Sequence, residues 1–337
     1  MTGRARSPLP VTLVAAAALS VLGAAPVEST DWPSFRGDPS LTGVARGELP
    51  DEPSPQWVYE ADDAITAGAA VVGGTVFVGS ADGKLAALDL DSGTARWTYA
   101  ATDAIQVAPA VADGTVFFGD AAGMFHAVDA ASGAKRWTFE TGGEIASSAT
   151  VHGDRVLFGS HDQNLYALRR DDGALLWKVE TDGYVYGTPA IAGETVISAG
   201  CDGLMRVISI ADGAAVRSID MGGYVGASPA VVDGRAFVGT FENQFVAVDV
   251  AEGKVAWTYE HPTRKFPYFA SAAVADGIVV VGGRDKIIHA FDAVTGEERW
   301  SRSTRAKIDA STAIVGDRAI VATAAGEVLV LDLRTGE

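Results

Sequence analysis

Residues Ala108 to Phe139 read APAVADGTVFFGDAAGMFHAVDAASGAKRWTF. Runs rich in Val, Phe and Ala, partly alternating, are separated by ADG, DAAG and ASG, whose glycines and acidic residues supply the positive φ of tight hairpin turns. Three such runs, and a fourth carrying Trp137, predict four antiparallel strands in a unit of roughly 40 residues. The unit recurs. Trp57, Trp97, Trp137, Trp177, Trp257 and Trp300 stand at spacings of 40, 40, 40, 80 and 43. The double gap hides a degenerate copy in which Arg217, preceded by Asp212-Gly213, takes the tryptophan's place. A fixed period of this size marks a solenoid or a propeller. After residue 30 no helical period is long enough for a crossover, so parallel α/β folds and helical repeats fit poorly and radially arranged four-stranded blades remain. The expected fold is an all-β propeller.

The first three strands of a unit begin near Thr66, Val107, Ala146, Gly187, Ala227, Ala270 and Ala310, and fourth strands centre on residues 57, 97, 137, 177, 217, 257 and 300. Both sets number seven. The last triplet, ending near Asp332, has no fourth strand after it, while Pro55–Glu60 has no triplet before it. The expectation is seven blades closed by the N-terminal strand around Trp57, which would pair with the strand ending at Asp332 and remove two open edges. Eight blades are expected if the chain continues beyond Glu337. The propeller is assigned to 55–337 and an irregular lead-in, with Pro33, Pro39, Pro50 and Pro53, to 30–54. Trp32 and Phe35 are expected to pin that lead-in to the ring, although a partner-binding arm is the alternative.

Residues 1–29 read as an export signal, because Arg4 and Arg6 precede the apolar run Val11–Ala25, which is short for a membrane span. Pro26 disfavours cleavage after Ala25, and Val27-Glu28-Ser29 offers another site; an uncleaved anchor is the alternative. The expected location is periplasmic or extracellular, with membrane association left open. With Cys201 as the sole cysteine and none beside the signal, neither a lipid anchor nor an internal disulfide is expected. A formal charge of −17 argues against nucleic acid as partner, since that affinity requires clustered Lys and Arg.

The most regular string is Asp89-x-x-Ser92-Gly93-x-x-x-Trp97, repeated at Asp129, Ser132, Gly133, Trp137 and at Asp292, Thr295, Gly296, Trp300. The Asp can bond turn amides, the Gly takes positive φ, and Trp57, Trp97, Trp137, Trp177, Trp257 and Trp300 serve as docking residues between sheets. This motif resembles the tryptophan-docking motif of the pyrroloquinoline-quinone (PQQ) repeat propellers, and the resemblance covers residues 55–337. The lead-in DWPSFRG, Asp31–Gly37, is similar to the segment preceding many propellers of the non-enzymatic, BamB-like branch. The resemblance implies a protein-binding scaffold of outer-membrane assembly in that branch, or a dehydrogenase in the quinoprotein branch. Members of the latter use eight blades, long inserted loops, a calcium site, a catalytic Asp and commonly a vicinal cysteine pair. The 40-residue spacing leaves no room for such loops and Cys201 has no neighbour, so no enzyme activity, metal or cofactor, PQQ included, is expected.

Other chemistry is sparse. His126, His152, His161, His261 and His289 lack the i, i+2 or i, i+4 spacing of a metal pair. His126 and His289 share one repeat position, where a common structural slot is expected. Asp62-Asp63, Asp171-Asp172 and Glu297-Glu298 are loop neighbours that point apart and make weak acid–base candidates. In an up-and-down blade, the blade-to-blade connectors and second-to-third turns share one face. The opposite face is monotonous, with ADG, VDG, SGT and SGA, whereas the connector face varies. It gathers Tyr184, Tyr186, Tyr224, Phe266, Tyr268 and Phe269 beside Arg264, Lys265 and Lys307 in blades four to six, and HPTRKFPYFA carries three residues beyond the period. Aromatics with cations are typical interface anchors, so these nine residues form the expected partner-binding face of a monomeric ring, unless the rings merely plug the channel. A protein partner, such as an envelope or outer-membrane assembly component, is expected. A quinone-binding module and a polysaccharide-binding or sensing ectodomain remain open.

Overall fold

The computed structural model describes residues 30–50 and 53–337, so the export-signal reading of 1–29 lies outside the described residues. Seven four-stranded sheets follow one another along the chain, and every regular element among the described residues is a strand. After β1 (Val44–Ala45), blade one consists of β2 (Ala70–Val72), β3 (Thr75–Gly79), β4 (Lys84–Asp89) and β5 (Ala95–Ala100). Antiparallel pairing sets Phe77 opposite Ala87 and Ala87 opposite Trp97. A bulge between Ala87 and Leu88 turns the outer strand. The same irregularity recurs in blades two to six, for example between Ala127 and Val128 and between Val207 and Ile208.

Two contacts repeated in nearly every blade hold neighbouring sheets together. At the outer side each docking indole donates Nε1–H to the carbonyl that follows the next blade's third strand: Trp97 to Ala130 (3.1 Å), Trp137 to Arg170 (3.0 Å), Trp177 to Ile210 (2.9 Å). The ring lies flat on a turn glycine, so a Cβ on Gly133 (φ +73°) would sit 2.8 Å from Trp97. Nearer the axis, a connector residue presses onto the glycine that ends a second strand, Ile105 on Gly79, Ile145 on Gly119 and Ile308 on Gly282. These pegs are fully buried, and side chains beneath them build a core between each pair of sheets.

Closure differs from the expectation. Pro53–Glu60 forms no strand, and the last strand, Val328–Asp332, pairs only with Arg318–Ala322. Pro55 stands where the sister strand has Ala95, the first residue of its ladder, and proline brings no N–H to that ladder. Trp57 nevertheless docks, donating to Leu90 O at 2.8 Å and lying on Gly93. The ring is closed at the axis. There, β1 adds parallel to Ala313–Val315, the first strand of blade seven, with Val44 opposite Ile314.

The lead-in makes that closure possible by running around the channel against the innermost strands. Trp32 and Val71 exchange both amide bonds (2.7 and 2.8 Å). Val111, Ile191, Val231, Val274 and Ile314 then donate to the carbonyls of Pro33, Pro39, Ser40, Thr42 and Gly43 at 2.7–2.9 Å. Six of the seven blades are tied in this way. A carbonyl is all that Pro33 and Pro39 must supply, which proline can do. Leu41 is buried and Phe35 packs against the same core, so the lead-in is an internal belt.

Candidate functional site

Hydrogen bonds between connectors and second-to-third turns, such as Ala81 N to Ala64 O (2.9 Å) and Phe241 N to Tyr224 O (2.9 Å), place both on one face. At its centre the channel opens as a funnel of about 650 Å³, floored by Trp32, Phe35 and Arg36 of the belt. Hydroxyls at one repeat position ring its wall. Ala108 N donates to Ser148 Oγ (3.0 Å), Thr188 N to Ser228 Oγ (2.9 Å), Ser228 N to Ser271 Oγ (3.1 Å) and Ser271 N to Ser311 Oγ (3.1 Å). Each bond links one blade to the next, so these serines are sutures before they are ligands. Arg36 is 4 % exposed, donates Nη2–H to Ala272 O at 2.7 Å, and is pushed down to about 10 by burial.

Exposed aromatics stand on the connectors of this face, and Tyr186 among them lines the funnel. Tyr184, Tyr186, Tyr224 and Phe266 each show about half their surface, and His161 stacks on Tyr184 with ring centroids 4.7 Å apart. Phe269 is half-buried at the funnel wall, edge-on to Phe241 at 4.5 Å, with the Arg284 guanidinium 3.6 Å above its ring. Arg284 also binds Asp309 at 2.6 Å, as does Lys307. Burial would raise the Asp309 carboxyl, but the bonds from Arg284 and Lys307 prevail and hold it below the usual range. Lys265 pairs with Glu260 at 2.5 Å, and Arg264 donates to Asp285 O at 2.8 Å.

Tyr268 does not belong to this face. It is 2 % exposed and occupies the peg position of Ile105, Val185 and Ile308, pressed on Gly239 and packed edge-on to Phe245. Burial first, then the charge of Asp285, pushes its phenol well above the ordinary range. Arg36, Arg284 and Asp309 are not singled out by the sequence, and His161 is read there only as a histidine without metal-pair spacing. The serines at 148, 228, 271 and 311 carried a periodic signal, but Arg36 lies outside the repeat and had none.

The shared histidine slot is a turn brace. His126 Nε2 meets Asp120 at 2.9 Å and Tyr99 OH lies 3.1 Å from its Nδ1; His289 lies between Asp285 and Glu298, 2.9 Å from each. Tyr166 and Arg206 hold the same position, bonded to Asp162 and Asp202. Among the described residues no three His, Cys, Asp or Glu side chains are grouped to hold a metal. Burial pushes the half-buried Cys201 thiol up, away from thiolate chemistry.

Residues 54–337 match the family described as the beta-propeller of the beta-alanine-activating enzyme. The chain belongs to that family. Among curated proteins none matches it in sequence. Among solved structures, BamB from Moraxella catarrhalis is 20 % identical with a TM-score of 0.73, covering 82 % of this chain and 88 % of its own. The quinohemoprotein alcohol dehydrogenase from Comamonas testosteroni is 14 % identical with a TM-score of 0.75, covering 91 % and 72 %. The computationally designed protein Ika8 reaches a TM-score of 0.63 at 18 % identity, covering 81 % and 97 %. At these identities the likeness is one of fold, and it joins this beta-propeller to the PQQ-repeat-like propellers of BamB and of a quinohemoprotein alcohol dehydrogenase. The funnel of this chain fits a calcium-assisted quinone poorly. Calcium takes six to eight oxygens, several of them carboxylate, and among the described residues the only carboxylate on the funnel wall is Asp309, already held by Arg284 and Lys307.

Proposed function

We propose that this protein is an exported, non-catalytic scaffold that holds a protein partner on its connector face. The observation that carries the reading is the set of four aromatic side chains, Tyr184, Tyr186, Tyr224 and Phe266, standing about half out of the protein on connectors of one face. Rings held on rigid connectors lose little entropy on binding and bury large areas, which is why they anchor interfaces. Arg264, Lys265 and Lys307 add charge at the rim, where it steers encounter more than it adds affinity. The export-like N-terminal sequence and the BamB-like fold support a periplasmic setting and an envelope partner.

A photo-crosslinking residue at Tyr224 or Phe266, activated in the native envelope, should give one discrete adduct that the same residue at Val294, on the opposite face, does not. Tyr184→Ser, Tyr224→Ser and Phe266→Ser together should abolish the adduct formed from Tyr186. Equal crosslinking from both faces would overturn the reading. The similarity to a quinohemoprotein dehydrogenase and the open funnel favour one competing reading, a quinone-dependent oxidoreductase. Dye-linked alcohol oxidation on addition of PQQ and Ca²⁺ would replace the scaffold by that enzyme.

A further inference from the structure

The connector face carries its charge unevenly. For blades one to five it consists of the connectors 61–69, 101–109, 141–149, 181–189 and 221–229 and the turns 80–83, 120–123, 160–163, 200–203 and 240–243. These segments hold carboxylates such as Asp62, Asp103, Glu144, Asp182 and Glu242, and neither Lys nor Arg. Lys84, which opens the strand beside them, is taken up by Asp62 and Asp82 at 2.5 and 2.9 Å. Blades six and seven reverse the sign. The connectors 261–272 and 304–312 and the turn 283–286 carry Arg264, Lys265, Arg284, Lys286, Arg305 and Lys307. Bonds from Arg264 Nη1 to Asp285 O and from Thr304 N to Lys286 O, both 2.8 Å, hold the three segments side by side.

Local carboxylates do not cancel these cations. Asp285 is buried and bonded to His289 at 2.9 Å, and Asp309 is shared by Arg284 and Lys307 at 2.6 Å each. Lys265 reaches Glu260 at 2.5 Å, and Arg305, its side chain 88 % exposed, stands 3.5 Å from Glu327. These last two pairs lie in solvent and hold little energy, so an incoming carboxylate can compete with them. Arg264 and Lys286 meet no carboxylate among the described residues. Phe266 follows Arg264 and Lys265 directly and sets an exposed ring among the charges.

Resting on the scaffold reading above, we propose that blades six and seven form the docking site for an acidic segment of the protein partner. Its carboxylates meet Arg264, Lys265, Lys286 and Arg305, and an apolar side chain of the segment meets Phe266. An extended chain is narrow enough to lie on this sector alone. A flat anionic membrane laid across the face would also press on the carboxylates of blades one to five. A second copy of this chain, with its own formal charge of −17, would set carboxylate against carboxylate over most of the face. The acidic sector repels an acidic segment that strays onto it, and so fixes where the partner lies.

Fluorescence anisotropy on the whole protein tests the site with a glutamate-rich peptide that contains a phenylalanine and carries an uncharged dye, and with the same peptide bearing glutamine for glutamate. The glutamate peptide should bind saturably and the glutamine peptide at least about 10-fold more weakly. Raising salt from about 0.05 to 0.5 M should weaken the first and spare the second. Lys265→Glu, Lys286→Glu and Arg305→Glu together should weaken the glutamate peptide at least about 10-fold, whereas Asp62→Lys, Asp103→Lys and Glu144→Lys together should not weaken it. Equal binding of the two peptides to the unaltered protein overturns the proposal, whatever the variants do. So does co-sedimentation with phosphatidylglycerol vesicles that the same reversal abolishes, which would give the sector to a membrane, or a salt-sensitive dimer in ultracentrifugation, which would give it to a second copy. The photo-adduct from Tyr224 separates this proposal from the reading it rests on. An adduct undiminished by the reversal removes the acidic partner and leaves the scaffold standing, whereas no discrete adduct with or without the reversal removes the scaffold itself.

Discussion

On the turn face, Asp89, Asp129 and Asp292 accept bonds from the amides of their own turns at 2.8–2.9 Å, and the adjoining glycines lie under docking indoles. On the connector face, Tyr184, Tyr224 and Phe266 project from a backbone of the same regularity and cover nothing comparable. One repeat therefore produces two kinds of surface. Where the side chain completes a seam the residue repeats, and where it faces solvent the residue is free to vary and to meet a partner. Even a single connector divides along this line, because Tyr268 is buried as a peg while Phe266, two residues earlier, is 49 % exposed.

The largest effects belong to residues that fill seams. Trp137→Ala removes an indole from between Phe117, Phe125 and the Arg170 carbonyl, and should cost about 3–5 kcal/mol in denaturant unfolding. Tyr268→Ala should cost a similar amount, since it empties the peg site on Gly239. If either loss stays below about 1 kcal/mol, the seams do not hold the ring together as described.

Gly133→Ala tests the turn face itself and should cost about 1–3 kcal/mol, because it combines a φ of +73° with a Cβ only 2.8 Å from the Trp97 ring. Trp97→Ala should remove the steric part of that cost and leave the backbone part. A double-mutant cycle separates the two.

This division explains what could be read from the sequence. Period, turn glycines and docking tryptophans are local signals repeated many times, and they placed the blades, the seams and the two faces. Closure was misread because the same logic was extended to Trp57, whose indole docks as its sisters do while Pro55 denies the flanking backbone a ladder. The belt was hidden for the opposite reason. Its bonds run from carbonyls of unrelated residues, Pro33, Pro39, Ser40, Thr42 and Gly43, to six distant strands, and no periodic pattern records them. At the candidate site the exposed aromatics were legible, whereas Arg36 and the Arg284–Asp309 pair arise from contacts between separate segments.

Acid should weaken the turn face by a smaller margin. Arg96 beside Asp89, with bonds from Ser92, holds its carboxyl down to about 2; Arg136 and Arg299 act in the same way on Asp129 and Asp292. Groups depressed in the folded state contribute stability above their unfolded value, about 3.9, and lose it as pH falls through the folded one. Tm should therefore drop between about pH 4 and pH 2, and the drop should shrink when Asp89, Asp129 and Asp292 are all changed to Asn. The carboxylates are a quarter to a third exposed at the surface, so solvent screening keeps the difference small.

Smallest of all should be Phe266→Ala, at less than about 0.5 kcal/mol, because half of the ring is already in water and no seam depends on it. That near-zero value gives the comparison its force. A substitution that leaves unfolding unchanged yet lowers crosslinking from a neighbouring site cannot act through misfolding, and its effect must lie in what the face binds. If Phe266→Ala were instead as costly as Tyr268→Ala, the connector would be a structural strut along its whole length and the two faces would differ only in composition.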